Sequence, residues 1–395
     1  MFFFRLYDVQ VFHLFLPFRF KNVIIFMKLS KNSNVFMDAV FHCKGGRMLF
    51  KKSGRDGFSR YVCLLLLLII FLVFSLFLAV SLGSVSIDLQ DTYGIIFSRL
   101  GLPFGKDSLP SSTLAIVWNM RLPRVLLGIL AGAGLSICGS VMQSTVNNPI
   151  AEPYILGISA GATFGATLSI ILGLKTLTGT GAFIGAILAT AVVVLIASMQ
   201  GKMTTGSLIL SGTVVNALFI AFANFIISVG ANADSIMTVK FWTMGSLAGT
   251  SWSDLTLPAL AVGLAFLFFC SQYRIFNAMM MGEEAALTLG VPLHVYWYLY
   301  ITVVAIITAV LVASCGIIGF VGLITPHIAR RLVGTNYRRL FPIATLLGAL
   351  FLVWADVWAR TLIKNAELPI GIFTALVGAP FFIYTVAKSR REVNS

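Results

Sequence analysis

Long apolar runs without charged side chains constrain this chain more than any other feature of its sequence. The cleanest run, residues 61–82, has no charged residue and exceeds the roughly 20 apolar residues that a helix needs to cross a bilayer. Over all 395 residues, 58% are hydrophobic and only 11% are charged, whereas soluble domains carry about 25% charged residues. The pattern excludes a soluble enzyme and a disordered chain, and it predicts a polytopic membrane protein.

Ten apolar segments are assigned as spans. They are residues 61–82, 125–145, 155–174, 182–199, 207–229, 255–270, 296–314, 316–328, 340–362 and 368–387. The eighth is interpreted as a short or broken helix, because it ends in Pro326 and His327. An even number of spans places both termini on one side, and the Lys and Arg bias of the loops predicts that this side is cytoplasmic. The predicted fold class is an all-α polytopic membrane protein with about ten transmembrane helices.

The positive charge of the chain does not indicate a nucleic-acid partner. The net charge is +14, from 28 Lys and Arg against 14 Asp and Glu. More than half of this excess lies in residues 1–60, and much of the rest lies in short loops, which is typical of membrane topology rather than of a basic binding face. Residues 1–47 are basic and aromatic, with apolar bursts too short to span. They are expected to be either an interfacial segment or an extension before Met48 that is dispensable or an artefact of an upstream start codon, followed by a ten-helix domain over residues 48–395.

No motif in the sequence supports catalysis. The nearest match to a nucleotide-binding loop, residues 101–107, is one residue short between its glycines and has Asp107 where a hydroxyl would have to reach Mg²⁺. A secondary transporter would bury ionisable relays within its spans, and spans one to seven have essentially none. Asp356 and Arg360, one turn apart in the ninth span, suit either a structural ion pair or a docking role. We expect a non-catalytic chain that binds no cofactor and takes its energy from elsewhere.

Residues 272–294 interrupt the apolar pattern and predict a short capped helix between two spans. Glu283 and Glu284 suit its first turn, where carboxylates interact favourably with the helix dipole. Gly290 suits the C′ position that ends the helix. Such a helix is interpreted as a docking element for a cytoplasmic partner, with an inert loop helix as the alternative.

Glycines recur at helical spacing in the third span. Gly157, Gly161 and Gly165 are four residues apart, so they are expected to share one face of a helix. Small faces allow helix backbones to approach closely in lipid. We interpret these three glycines as helix-packing residues of a tight bundle.

Several strings of residues resemble the motifs of one family. Residues 120–124 resemble an RLPR motif, residues 148–161 an NPLAxP…LGxSxGA signature, residues 241–247 a WxMGSL loop, residues 282–290 a GEExAxxLG segment, and residues 319–330 a GFVGLxxPHxxR motif. Residues 355–360, 367–371 and 378–382 complete the set. Together they cover roughly residues 60–391 in the expected order. The chain thus resembles the FecCD-type permeases of ABC importers for iron–siderophore complexes, haem and vitamin B12.

This resemblance implies a bundle like that of the vitamin B12 importer permease, in the cytoplasmic membrane of a prokaryote. It implies a second permease subunit, identical or homologous, and two cytoplasmic ATPase subunits that bind ATP and Mg²⁺. An extracytoplasmic substrate-binding protein would dock through acidic residues onto Arg121, Arg124 and Arg360, which match the family's arginines. The residues that match its ATPase-coupling segment are Gly282, Glu283, Glu284, Ala285, Leu289 and Gly290.

The cargo stays open at this point. An iron(III)-siderophore-type chelate is the expectation, and haem or cobalamin is the alternative within the same family. An ion-coupled secondary transporter would need a membrane-embedded ion site, and a structural scaffold would not explain the docking helix together with the outer arginines. For the transport pathway, the resemblance implies only spans five and ten.

Overall fold

The computed structural model describes residues 55–83, 87–99, 101, 111–199, 201, 203–363 and 366–393. The predicted extension, residues 1–47, lies outside these residues, so its boundary stays a prediction. The α-helices of the described part are α1 (Arg55–Ser81), α2 (Leu89–Arg99), α3 (Ser111–Ala115), α4 (Leu122–Thr145), α5 (Ile158–Ile171), α6 (Thr178–Ser198), α7 (Thr205–Gly230), α8 (Ala233–Thr243), α9 (Thr256–Ser271), α10 (Tyr273–Met279), α11 (Glu283–Thr288), α12 (Leu293–Cys315), α13 (Val321–Val333), α14 (Tyr337–Thr361) and α15 (Ile370–Val393).

The helices confirm the all-α polytopic fold. Among the described residues, 7 helical runs are long and apolar enough to cross a membrane, and they contain α1, α4, α6, α7, α9, α12 and α14. Two shorter apolar helices, Ile158–Ile171 and Ile370–Thr385, occupy the third and tenth predicted spans. The short helix α13 occupies most of the eighth. The apolar elements therefore follow the predicted order.

The eighth span is broken before its proline rather than at it. Gly316 and Phe320 both have left-handed backbone conformations, so the chain between α12 and α13 is not helical. Pro326 instead lies inside α13. Proline lacks the N–H that would bond to the carbonyl four residues earlier. That carbonyl belongs to Gly322, and it accepts a hydrogen bond from Gln143 Nε2 at 3.1 Å, which explains how the helix continues.

The second span begins earlier than predicted. The predicted span covers residues 125–145, but α3, a π-helical turn over Ile116–Arg121 and α4 form one continuous helical run that begins at Ser111. The N–H of Leu122 bonds to the carbonyl of Val117, five residues back. Pro123 follows and cannot donate a backbone hydrogen bond. The π turn therefore lies where the proline interrupts the regular hydrogen-bond ladder.

Helix α4 is the centre of the bundle. In the most apolar stretch of the helical run that ends with α4, 83% of the residues are buried. In the corresponding stretch of α1, at the periphery, 17% are buried. Helices α9, α12, α13 and α14 all pack against α4. Its glycines allow this crowding, because a Cβ on Gly132 would lie 2.2 Å from the carbonyl oxygen of Gly348, and a Cβ on Gly139 would lie 2.0 Å from that of Gly322. The core is thus a set of close backbone crossings around one helix.

Glycines also join α5 to α6. A Cβ on Gly161 would lie 2.2 Å from the carbonyl oxygen of Gly185, and one on Gly165 would lie 1.9 Å from that of Gly181. Gly157 differs from the other two, because it precedes α5 with a left-handed φ of 79° instead of lying on the helix face. Gly157 therefore caps the start of α5, but a Cβ there would still meet Val193 and Ala189 of α6 at 3.3 and 3.5 Å, so it faces the same helix as the other two glycines.

Replacing Gly165 by Ala is expected to lower the free energy of unfolding by about 1–3 kcal/mol, the usual cost of forcing extra atoms into a well-packed contact. The methyl group would meet the backbone of α6, which cannot rotate away as a side chain can. Thermal unfolding of the purified protein in detergent measures the change. The control is Gly263→Ala in α9, where a Cβ would meet nothing within 4 Å. Equal unfolding temperatures for the two variants would contradict this packing argument.

Candidate docking and coupling sites

The three candidate docking arginines lie together at one end of the bundle. Arg124, near the start of α4, donates from Nε to Asp356 Oδ1 at 3.0 Å and from Nη1 to Glu367 at 2.9 Å. Arg360 lies on α14 one turn from Asp356, with Nε 3.3 Å from Oδ2. The Asp356 side chain is 2% exposed. One buried carboxylate therefore pairs with arginines from two different helices.

The same cluster holds the last turn of α1. Arg121 donates from Nη1 to the carbonyl oxygens of Val80 and Ser81, at 3.0 and 2.8 Å. Arg360 donates from Nη2 to the carbonyl of Ala79. The last carbonyls of a helix have no partner within the helix, and cations at this end also interact favourably with the helix dipole. The two arginines therefore cap α1 from neighbouring helices.

Arg121 can reach these carbonyls because Gly83 leaves space for it. A Cβ on Gly83 would lie 2.6 Å from Arg121 Nη2. Arg121 and Arg360 are both buried, and the Arg124 side chain is 13% exposed. Glu367, at 49% exposed, is the outward-facing member of the cluster. The structure thus brings the three predicted arginines together, but it directs their charges into the protein.

The candidate coupling segment lies at the opposite end of the bundle. Helix α14 begins at Tyr337, whose N–H bonds to Asn277 Oδ1 of α10 at 2.9 Å, and it carries Arg360 close to its other end. A helix of this length extends about 37 Å. Helix α11, over Glu283–Thr288, directly follows α10. The predicted docking and coupling residues are therefore separated by the thickness of a membrane.

The predicted capped helix is confirmed as α11. Gly290 has a φ of 77°, and its N–H bonds to the carbonyl of Leu287 at 2.9 Å. The N–H of Val291 donates to the carbonyl of Ala286 at 3.1 Å, so the helix ends in a Schellman-type cap. Gly282, with a φ of 103°, begins it. Of the other candidate coupling residues, Ala285 is half-buried, while Glu284 and Leu289 are exposed.

Apolar side chains flank this helix on its exposed side. Ala286 is fully buried against its neighbours, whereas Leu287 is 53% exposed and Leu289 is 63% exposed. Met281, just before the helix, is exposed as well. Sequence reasoning did not single out Met281 and Leu287, although the apolar residues around the predicted helix were the available signal. Clustered exposed apolar side chains are typical of an interaction surface.

An aromatic cluster connects the base of α11 to the membrane helices. Phe276 of α10 stacks on Tyr300 of α12 with ring centroids 4.5 Å apart, and on Tyr337 of α14 at 5.3 Å. Phe341 packs edge-on against Phe276 at 5.2 Å. Stacked and edge-to-face rings pack rigidly and add to the energy of burial. A displacement of α10 would therefore be passed to α12 and α14.

Glu152 falls within the motif of residues 148–161, but no local pattern assigned it a role. It lies in the connection between α4 and α5 and lines a cavity of about 460 Å³. Burial raises the pKa of Glu152 to about 7, although a hydrogen bond from the Phe320 backbone opposes this shift. The available signal was an acidic residue next to Pro153 between two apolar runs.

Known proteins share both the sequence and the fold of this chain. A sequence model of the FecCD transport family matches residues 67–388. The cobalamin import system permease protein BtuC of Halobacterium salinarum is 42% identical over 298 residues, which is 74% of this chain and 78% of the relative. The Fe(3+)-citrate import system permease protein YfmD of Bacillus subtilis is 34% identical over 348 residues, which is 87% of this chain and 99% of the relative.

A solved structure of a metal-chelate type ABC transporter in an inward-facing conformation superposes with a TM-score of 0.72. It is 31% identical and covers 83% of this chain and 100% of its own. The family match runs from within α1 to within α15, so it includes the arginine cluster, α11 and the Glu152 cavity. On this agreement of sequence and fold, the chain belongs to the FecCD transport family.

Proposed function

We propose that this chain is the permease subunit of an ABC importer that moves an iron(III)-siderophore-type chelate across the cytoplasmic membrane. ATP hydrolysis takes place in a separate ATPase subunit, and the chain itself is not catalytic. Helix α11 is the observation that carries the proposal. It is a capped helix with exposed apolar side chains at one end of the bundle, directly between two helices of the bundle.

The exposed surface of α11 suits a protein partner. Leu287 and Leu289 project from a helix that Ala286 fixes to the bundle. Burying a leucine side chain in an interface contributes about 1.5–3 kcal/mol when burial is complete. The partner is a cytoplasmic ATPase, because α11 lies at the end of the bundle predicted to face the cytoplasm.

The aromatic cluster supports a mechanism for coupling. When the ATPase subunits close on ATP, they displace α11 and the adjoining α10. Phe276 transmits this movement to Tyr300 and Tyr337, and so to α12 and α14. Packed aromatic contacts pass displacements on, because they have little free volume to absorb them. Access to the cargo pathway then alternates between the two sides of the membrane.

The double substitution Leu287→Ser and Leu289→Ser tests this proposal. We expect at least about a tenfold weaker association with the co-expressed ATPase, because a loss of 1.4 kcal/mol already corresponds to a factor of ten. Co-purification and ATP-driven uptake measure the effect. The matched control is Ile236→Ser with Met237→Ser in α8, which are similarly exposed at the arginine end. ATPase association as strong as in the control would count against the coupling role.

The arginine end is proposed to receive an extracytoplasmic binding protein, with a second permease subunit beside this one. Arg124 is paired with Glu367, which is half exposed. An acidic residue of the binding protein would compete with Glu367 for this arginine. Such rim charge pairs mainly affect the rate of encounter and the register of docking.

The cargo is proposed to be an iron chelate, and cobalamin is the second candidate because a 42% identical relative is named for its import. Uptake into proteoliposomes that contain the permease, its ATPase and the cognate binding protein distinguishes the two. Iron(III)-siderophore uptake that requires ATP supports the proposal. Uptake of cobalamin but not of the iron(III)-siderophore would identify cobalamin as the cargo. Uptake without ATP would favour an ion-coupled transporter instead.

A further inference from the structure

Two tyrosines and three arginines gather at the end of the bundle opposite the docking arginines. They are Tyr61 near the start of α1, Tyr273 and Arg274 at the start of α10, and Arg338 and Arg339 at the start of α14. Together these five residues form the tyrosine–arginine cluster. The coupling mechanism proposed above uses none of them.

The arginines of this cluster lie against the two tyrosine rings. The guanidinium carbons of Arg274 and Arg338 are 5.8 and 5.9 Å from the centre of the Tyr273 ring. That of Arg339 is 5.8 Å from the centre of the Tyr61 ring. These are the distances of cation–π contacts. Because Arg338 and Arg339 are consecutive residues, the two rings and the three positive charges belong to one cluster.

The positive charge of the cluster is not neutralised by the part of the chain that the structure describes. Within that part, no acidic side chain lies within ion-pair distance of Arg274, Arg338 or Arg339. Arg274 donates from Nε to the Tyr273 hydroxyl at 3.1 Å. Each guanidinium carries five N–H donors, and Arg274 and Arg338 are exposed. Since neighbouring positive charges repel one another, the cluster favours an anion among its free donors.

The cluster lies where membrane-spanning helical runs begin and end. The runs Phe58–Ser81 and Tyr337–Thr361 begin here, and the run Trp252–Ser271 ends here. Every member of the cluster lies within about one helical turn of one of these ends. Tyrosine is enriched at the same level in membrane proteins, where its ring meets the lipid headgroups. The anion is therefore expected at headgroup depth.

The helix beside the cluster offers its surface to lipid. Helix α1 is peripheral, and only 17% of its most apolar stretch is buried. Leu64 and Leu65, one turn beyond Tyr61 on the same face, are half-buried, and Leu67 and Ile70 on the outer face are 58% and 69% exposed. An apolar surface next to unpaired arginines suits a ligand that has both acyl chains and a negative charge.

We propose that the tyrosine–arginine cluster binds the phosphate group of an anionic phospholipid whose acyl chains lie along α1. The fork of N–H donors on a guanidinium matches phosphate oxygens. The tyrosine rings hold the guanidinium groups in place before the lipid arrives, which lowers the entropy cost of binding. Basic pockets between transmembrane helices are typical sites for such headgroups. A zwitterionic lipid fits less well, because its cationic group would meet the same three arginines.

Native mass spectrometry of the full-length permease in detergent tests the proposal. The protein is titrated with phosphatidylglycerol and, separately, with phosphatidylcholine of the same acyl chains. We expect phosphatidylglycerol to bind at least about tenfold more tightly. The triple variant Arg274→Gln, Arg338→Gln and Arg339→Gln should lose this preference. Inorganic phosphate in excess over the lipid should not displace phosphatidylglycerol, because it has no acyl chains to lie along α1.

The matched control is the triple variant Lys175→Gln, Lys240→Gln and Arg331→Gln. It removes the same number of positive charges from exposed positions outside the cluster, so its net charge equals that of the test variant. The control should bind phosphatidylglycerol as the unsubstituted protein does. Equal binding of this lipid by the two triple variants would mean that overall charge, rather than the cluster, attracts it, and the proposal would be wrong.

Three other results overturn the proposal. The first is equal affinity of the unsubstituted protein for the two lipids, a measurement that stands even if the test variant fails to fold. The second is displacement of phosphatidylglycerol by inorganic phosphate, which would make the cluster a site for a free anion. The third is a test variant that binds phosphatidylglycerol normally but no longer co-purifies with the ATPase, which would assign the three arginines to the protein partner.

Discussion

Replacing Asp356 by Asn is expected to lower the free energy of unfolding by about 3–5 kcal/mol, because removal of one partner from a buried ion pair leaves uncompensated charge behind. Asp356 is 2% exposed and pairs with both Arg124 and Arg360. The substitution conserves volume, so the effect reports the lost charge rather than a cavity. The loss would weaken the contact between α4 and α14 at the arginine end.

Thermal or denaturant unfolding in detergent measures this change, and Glu367→Gln is its matched control. Glu367 pairs with the same Arg124 but is 49% exposed. Exposed ion pairs contribute only about 0–1 kcal/mol, so the control should unfold nearly as the unsubstituted protein does. If Asp356→Asn were as stable as Glu367→Gln, the cluster would not hold the helices together.

The order of the membrane helices could be predicted because the signal is local. An apolar run such as residues 61–82 specifies a spanning helix wherever it packs. The short helix α11 could also be predicted, since its capping glycine, Gly290, lies directly beside it in the sequence. Where the break before α13 falls could not be predicted from Pro326, because the structure supplies a side-chain partner, Gln143, for the carbonyl that the proline leaves free.

The contacts of the arginines could not be predicted in this way. Motif resemblance placed Arg121 at the outer end of the second span, but its partners, Val80 and Ser81, belong to the preceding span. Whether an arginine points outwards or caps a neighbouring helix depends on how the two helices pack, which no local pattern encodes. The spacing of Asp356 and Arg360 was the available hint of an internal ion pair.

The arginine cluster can cap α1 and still guide a partner, because different residues would serve the two roles. Arg121 and Arg360 are committed to carbonyl groups inside the bundle. Arg124 instead reaches the half-exposed Glu367. An acidic residue of a docking protein could therefore take the place of Glu367 beside Arg124 without breaking the contacts that cap α1. On this reasoning, Arg124 has the strongest claim of the three to the docking role, and Arg121 has the weakest.

Replacing Arg121 by Met should therefore act on stability rather than on docking. The variant keeps a long apolar side chain but leaves the carbonyl groups of Val80 and Ser81 buried without these donors. Hydrogen bonds from charged groups contribute about 1.5–3 kcal/mol each. We expect the free energy of unfolding to fall by about 2–4 kcal/mol, less than the two bonds together, because Met avoids the cost of burying the guanidinium charge. Unfolding in detergent measures the change.

The matched control is Lys240→Met, which removes an exposed positive charge from α8 at the arginine end and should leave unfolding unchanged. Arg121→Lys keeps the charge but loses the planar fork that reaches both carbonyl groups, so its stability should fall between those of the other two variants. A docking role predicts the opposite pattern, in which Arg121→Met unfolds normally and binds the extracytoplasmic partner poorly. Unfolding and partner binding of the same purified variant therefore decide between capping and docking for Arg121.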